Sequence, residues 1–321
     1  MKNKLLSCFL WVIMSTAGIG KADAQQNAAV YISDIDHFWE AFDSVHTTAD
    51  TALQVAIMQK LYIDKGTAGL KAFMQLRNFD AARLVASIHK YPKFWASARP
   101  NTLKVPPALP LIQAYLDTLK AMYPAMRPAP LYFTITAVRA AGVAETGIAL
   151  IGTEIATGNR YTDVSEFPDK RLANFFQPKE TDNIIPVAIH EYVHTQQKGE
   201  GKVLLSQSIY EGACDFITEL VLHEPLMHSY LTYGRLHEQE LKEAFKKEMF
   251  GEELSNWLYN GSTSATMGDL GYFMGYTICK SYYRHAQNKQ QAVSDIIDLD
   301  YTNLEAVKKF LNDAQYYKDK F

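Results

Sequence analysis

His190-Glu191-Tyr192-Val193-His194 sets two imidazoles four residues apart with a carboxylate beside the first. On an α-helix, residues four apart share a face, so both rings can reach one metal ion. Glu191 then lies about 100° round the helix from His190, beside the ion rather than on it. A carboxylate there can hold a water and take its proton, so the pattern points to Zn2+ and metal-assisted hydrolysis with Glu191 as general base. The flanks agree with a helix: Asp182 or Asn183 can cap it, Pro186 is tolerated in a first turn and Gly199 can end it. A helix whose histidines merely face water could carry the same five residues, so the reading calls for a third ligand.

Catalytic zinc usually takes three side chains and leaves one position open. The stretch from Ser206 to Glu219 reads as a second helix and places Glu211, Asp215 and Glu219 on one face at four-residue spacing. Carboxylates so spaced repel one another, and no lysine or arginine occurs between Gln207 and Glu224 to relieve them, so a bound cation opposite the stripe is the natural partner. Glu211 is the preferred third ligand, because the sixteen residues after His194 suffice for a turn and an antiparallel return. Asp215, one helical turn on, is placed to accept a hydrogen bond from the free ring nitrogen of a ligand histidine. Glu219 reads better as a surface or salt-bridged carboxylate.

His190-Glu191-x-x-His194 followed by Glu211-x-x-x-Asp215 resembles the gluzincin clan of metalloproteases. The wider pattern adds Thr195-Gln196-Gln197, Tyr210-Glu211-Gly212-Ala213 and Gly271-Tyr272-Phe273-Met274-Gly275-Tyr276. With these it is similar to the DUF2268 family of predicted zinc-dependent proteases and the related gliding-motility lipoproteins of the GldB type. The resemblance spans roughly residues 130 to 285. It implies a zincin-like core, His190, His194 and Glu211 as metal ligands, Asp215 as orienting residue, and hydrolysis of a peptide or protein substrate. Gln197 and Glu200 stand where a metzincin has its glycine and third histidine, which excludes that branch, and no lipidation cysteine follows the N-terminal apolar segment. The gliding-machinery relatives also admit a non-catalytic envelope protein that keeps the fold for binding or assembly.

Zincins also need a donor for the developing oxyanion. Tyr272 and Tyr276 are nominated because they lie in the recurrent Gly-Tyr segment, and Tyr233 and His237 are further candidates. Gly268, Gly271 and Gly275 equally suggest tight helix packing with aromatic residues filling space. His223, His228 and His285 read as surface or core histidines.

The elements that must position these residues form an α+β, mainly α, chain. From about Ile32 to Tyr123 apolar residues recur at helical spacing over Asp36–Phe42, Ala52–Tyr62, Gly69–Leu76 and Asp80–His89. Prolines 92 to 110 interrupt the pattern before a helix over Leu111–Met122. Leu131–Thr136 and Thr146–Ile155 read as strands, with Ala140–Glu145 as a flexible connection. The second strand is expected to be the edge that holds an extended substrate. Residues 1–24, with a basic start, an apolar run and Ala22-Asp23-Ala24, read as a signal peptide. A helical lobe over 25–125 and a zincin-like domain over 126–321 follow.

Removing residues 1–24 takes out three lysines and one aspartate and moves the net charge from −3 to −5, an acidic balance unsuited to nucleic acid. No later segment is long and apolar enough to span a bilayer, so an exported, periplasmic or extracellular protein is expected. Cys214 and Cys279 could pair there or stay as buried thiols.

Overall fold

The computed structural model describes residues 28–145, 147–176, 184–261, 263–264 and 266–321. The signal segment and the capping candidates Asp182 and Asn183 lie outside the described residues. The chain is mainly helical, with one small mixed sheet.

Six helices come first: α1 (Ser33–Val45), α2 (Thr51–Met58), α3 (Ala68–Arg77), α4 (Ala81–Lys90), α5 (Pro92–Thr102) and α6 (Val105–Met122). Side-chain caps start several of them, with Asp50 accepting from Ala52 and Leu53, and Asp80 accepting from Arg83. The expected helix over 52–62 is α2 continued by a π-turn over Gln59–Ile63. The expected helix at 111 begins instead at Val105, because Pro106, Pro107 and Pro110 fall in its opening turns. Pro106 and Pro107 fall in the first turn, where the missing N–H groups would have had no intrahelical acceptor, whereas Pro110 lies inside the helix and leaves the Pro106 carbonyl without its i+4 donor.

The sheet combines β1 (Val30–Tyr31), β2 (Leu131–Thr134), β3 (Gly142–Glu145) and β4 (Ile148–Gly152) in the order β1-β2-β4-β3. β1 and β4 both run parallel to β2, with Leu131 opposite Ala149, while β3 is antiparallel to β4, with Gly142 opposite Ile151. Two expectations are corrected here. The strand expected over 146–155 lies inside the sheet with partners on both sides, so it has no free edge for a substrate. The stretch expected as a flexible connection is itself the edge strand. Gly142-Val143-Ala144-Glu145 has weak strand propensity, and pairing with β4 decides its conformation.

A buried carboxylate aims that edge strand. Glu154 in the short helix α7 (Thr153–Ala156) accepts hydrogen bonds from the Thr136 and Val138 amides and the Thr136 hydroxyl at 2.8–2.9 Å. These bonds hold Ala137 and Val138 at φ of 54° and 63°, a conformation that costs a β-branched residue strain. Burial pushes the Glu154 carboxyl up, and the three hydrogen bonds pull it back only in part.

After α8 (Arg171–Phe176) come the helices that carry the candidate site: α9 (Ile184–His194), which packs against β3 and β4, and α10 (Leu204–Leu222). α11 (Ser229–Glu248), α12 (Leu270–His285), α13 (Lys289–Ile297) and α14 (Leu304–Asp313) complete the chain. α10 and α12 cross in backbone contact. A Cβ on Gly212 would lie 2.1 Å from the Tyr276 amide nitrogen, and one on Gly275 would lie 1.6 Å from the Ser208 carbonyl oxygen. Of the glycines read as a close-packing signal, Gly275 is at the crossing point and Gly271 lies beside it against Leu258 and Ser208, whereas Gly268 meets Gly261 and Asn260 instead. Among the described residues no helix is long and apolar enough to cross a membrane.

Candidate metal centre

α9 presents His190 and His194 toward α10, whose buried residues include Glu211 and Asp215, and turns Glu191 toward Gly142 of β3. His190 Nε2 lies 3.1 Å from His194 Nε2, and Glu211 Oε2 lies 3.1 Å from His194 Nε2 and 3.6 Å from His190 Nε2. Bonds of about 2.0–2.1 Å to a tetrahedral zinc separate neighbouring ligand atoms by about 3.3–3.4 Å. The three atoms therefore already stand at ligand spacing around one point. His190, His194 and Cys214 also form a group that can hold a metal ion, each offering an atom within 4.8 Å of the others.

Each of the three nearest groups has a partner on its far side. His190 Nδ1 lies 2.9 Å from Asp215 Oδ1, so the ring gives its proton to the carboxylate and keeps Nε2 for the centre. The other Asp215 oxygen accepts from the Tyr230 hydroxyl at 2.9 Å. His194 Nδ1 lies 2.7 Å from Gln197 Oε1. The Tyr259 hydroxyl lies 3.0 Å from both Glu211 Oε1 and Gln207 Oε1, two acceptors for its one proton, and Glu211 Oε2 faces the imidazoles. Asp215 was legible in the helical spacing. Gln197, Tyr230 and Tyr259 were not, because their roles depend on the way distant segments close over the helix pair.

The electrostatics of the cluster favour a cation. Burial opposes charge on His190, yet its bonds to Asp215 and Glu211 outweigh burial and hold the imidazole well above its usual pKa. Burial likewise opposes the Glu211 carboxylate, but His194 and His190 hold it well below the usual range. Among the described residues no lysine or arginine forms an ion pair with Glu191, Glu211 or Asp215.

Glu191 behaves differently. Burial pushes its carboxyl up and the two histidines pull it back, while its side chain makes no hydrogen bond to any described residue. It lies against the start of the edge strand, where a Cβ on Gly142 would come within 2.5 Å of Glu191 Oε1. Both residues line a cleft of about 640 Å³ that also contains His190, Asp215 and Tyr272.

The remaining candidates separate. Tyr272 lines the cleft and donates no hydrogen bond to a described residue, and burial together with Glu211 keeps its phenol protonated. Tyr276 lies outside the cleft, its hydroxyl bonded to Glu219 Oε1 at 2.7 Å and within 2.6 Å of Lys280 Nζ. Glu219 also meets Lys280 at 2.8 Å and Arg235 at 3.5 Å, which makes it a salt-bridged link between α10, α11 and α12. Tyr233 and His237 stack on one another on α11, away from the cleft. His228 lines the cleft with its ring stacked on Tyr230, whereas His223 caps the end of α10 and His285 is exposed. Cys214 and Cys279 are both buried free thiols. No family model, curated protein or solved structure matches the chain.

Proposed function

We propose that the chain is a zinc-dependent peptidase of gluzincin type, with His190, His194 and Glu211 as ligands and Glu191 as general base. The observation that carries this reading is the triangle of His190 Nε2, His194 Nε2 and Glu211 Oε2, with sides of 3.1, 3.1 and 3.6 Å. Glu211 is preferred over Cys214 as third ligand. The Cys214 sulfur lies against Gln197 Oε1 at 3.4 Å and the Tyr210 carbonyl at 3.7 Å, whereas Glu211 Oε2 faces both imidazoles at 3.1 and 3.6 Å.

A zinc ion held there supplies Lewis-acid polarisation of a carbonyl and acidifies a water. The rest falls to the chain's own groups. Glu191, raised in pKa by burial and without a hydrogen bond to any described residue, takes the proton of the attacking water at its carboxylate and returns it to the leaving amine. Glu191 is part-buried on the cleft wall with no described hydrogen-bond partner, so its carboxylate is open to a water beside the ligands, a placement that favours catalysis over a purely structural role. Tyr272 offers its hydroxyl proton to the developing oxyanion.

Among the described residues β3 pairs with β4 alone, and its start at Gly142 lines the cleft, where an extended peptide can add as a further strand through main-chain hydrogen bonds. That favours a peptide or protein substrate over a small ester. The leader read in residues 1–24 assigns the activity to the periplasm or the exterior.

Metal analysis of the purified chain tests the centre. About one zinc per chain is expected, with His194→Ala and Glu211→Ala both depleted. Retention of full zinc by Glu211→Ala, with loss in a Cys214→Ser variant, would move the third ligand to the thiol.

A further inference from the structure

We propose that Gln197, locked in place by Tyr301 and the Tyr210 carbonyl, is a positioning residue that selects the tautomer of His194 and so aims its Nε2 lone pair at the metal position. The proposal rests on the metal reading above.

The two ends of a glutamine amide have nearly the same shape, so its orientation must be assigned from its partners. The Tyr210 carbonyl, 2.8 Å from one end, can only accept, so that end is the NH2 group. Tyr301 gives its single hydroxyl proton to the Ile296 carbonyl at 2.7 Å and therefore offers a lone pair to the same NH2 at 3.1 Å. Both amide protons are thus committed, and Oε1 faces His194 Nδ1 at 2.7 Å and the Cys214 thiol at 3.4 Å. An amide oxygen only accepts, so Nδ1 of His194 holds a proton toward Gln197, and Nε2, which faces Glu211 Oε2 at 3.1 Å, is the nitrogen left to give its lone pair to a metal between the two. The network is closed: Tyr301 is fully buried, Gln197 is 9% exposed, and every donor and acceptor of the amide is used.

Two consequences follow for the metal. His190 is oriented by a carboxylate and His194 by a neutral amide, so the second histidine is fixed without bringing a further negative charge into a site that already holds three carboxylates. The lock is also supplied from far along the chain, since Tyr301 sits in the link between α13 and α14, 104 residues from Gln197. The C-terminal helices thereby act on the metal affinity without touching the cleft.

Zinc affinity of the full chain, measured by competition with a chromogenic chelator, tests the proposal alongside long-range 15N–1H spectra of the histidine rings. Gln197→Leu should weaken zinc binding about 10–100-fold, the range for loss of a partner behind a metal ligand. Tyr301→Phe, a milder change, should weaken it by a smaller factor, and Tyr123→Phe, which removes a hydroxyl bonded to Asp298 outside the site, should leave it unchanged. The spectra should show His194 protonated at Nδ1 in the wild type, even without metal at alkaline pH, and a mixture of tautomers in Gln197→Leu. Unchanged zinc affinity in a folded Gln197→Leu chain, or His194 protonated at Nε2 in the wild type, would overturn the proposal. If the wild type took up no zinc but kept His194 protonated at Nδ1, the metal reading would fail while the tautomer lock stood.

Discussion

At the scale of the residue, the site holds three tyrosines whose hydroxyls do different work. Tyr230 spends its proton on Asp215 and Tyr259 shares one between Glu211 and Gln207, so that the other oxygen of each carboxylate faces the histidines. Tyr272 alone among the three lines the cleft with its proton uncommitted to any described group. Loss of one oxyanion donor costs about 10²–10³ in kcat, so Tyr272→Phe should lose turnover on that scale and retain zinc. Tyr276→Phe should lower thermal stability through the Glu219–Lys280 cluster and leave kcat intact. Steady-state kinetics on zinc-loaded variants checks the pair, and an undiminished kcat in Tyr272→Phe would remove it from the mechanism. The motif carried His190, Glu191 and His194 in five consecutive residues, while helical period put Glu211, Asp215 and Glu219 on one face and the interval after His194 singled out Glu211. Tyr259 and Gln197 left no such trace, because the first reaches Glu211 across 48 residues and the second is oriented by a carbonyl and a phenol that only the folded chain brings near.

At the scale of the element, α10 is the piece on which the centre depends. One part of its surface delivers Glu211 and Asp215 to α9, and another meets α12 with no side chain between the backbones at Gly212 and Gly275. A methyl group on Gly275 would land on the Ser208 carbonyl and the Ile209 amide, groups that cannot rotate away. Gly275→Ala should therefore destabilise the chain by about 1–3 kcal/mol or more and weaken zinc binding as α10 shifts. Thermal unfolding of the metal-free chain measures the first effect, and an unchanged Tm would show that the crossing is looser than the contacts imply. The glycines announced this packing in the sequence, and the helical periodicity announced the helices themselves. The edge strand did not announce itself: Gly142 and Ala144 have no β-branched side chain to signal a strand, and the Glu154-stabilised turn at Ala137 and Val138 that leads into it arises from contacts 16 to 18 residues away.

At the scale of the whole molecule, the N-terminal helices and the later segments share one hydrophobic core, so the site is built on a continuous support. Tyr62, from the first third of the chain, donates to the Ile135 carbonyl at 2.7 Å and accepts from its amide at 2.9 Å just beyond β2. β1 completes the other side of the same sheet. The sheet then holds β3 against Glu191, α9 holds the histidines, and α10, pinned by α12, holds the carboxylates. On the proposed reading, the edge strand on one side of the cleft holds an extended chain and His190, His194 and Glu211 on the other hold the ion that helps water cut it. The most direct measurement is hydrolysis of a diverse peptide library by the zinc-loaded chain, compared with Glu191→Gln loaded to the same zinc content. The account predicts cleavage by the wild type and a loss of at least about 10²-fold in the variant with zinc retained, because the base is removed and the ligands are not. Equal cleavage by both proteins, or none by a wild type that holds its zinc, would contradict it.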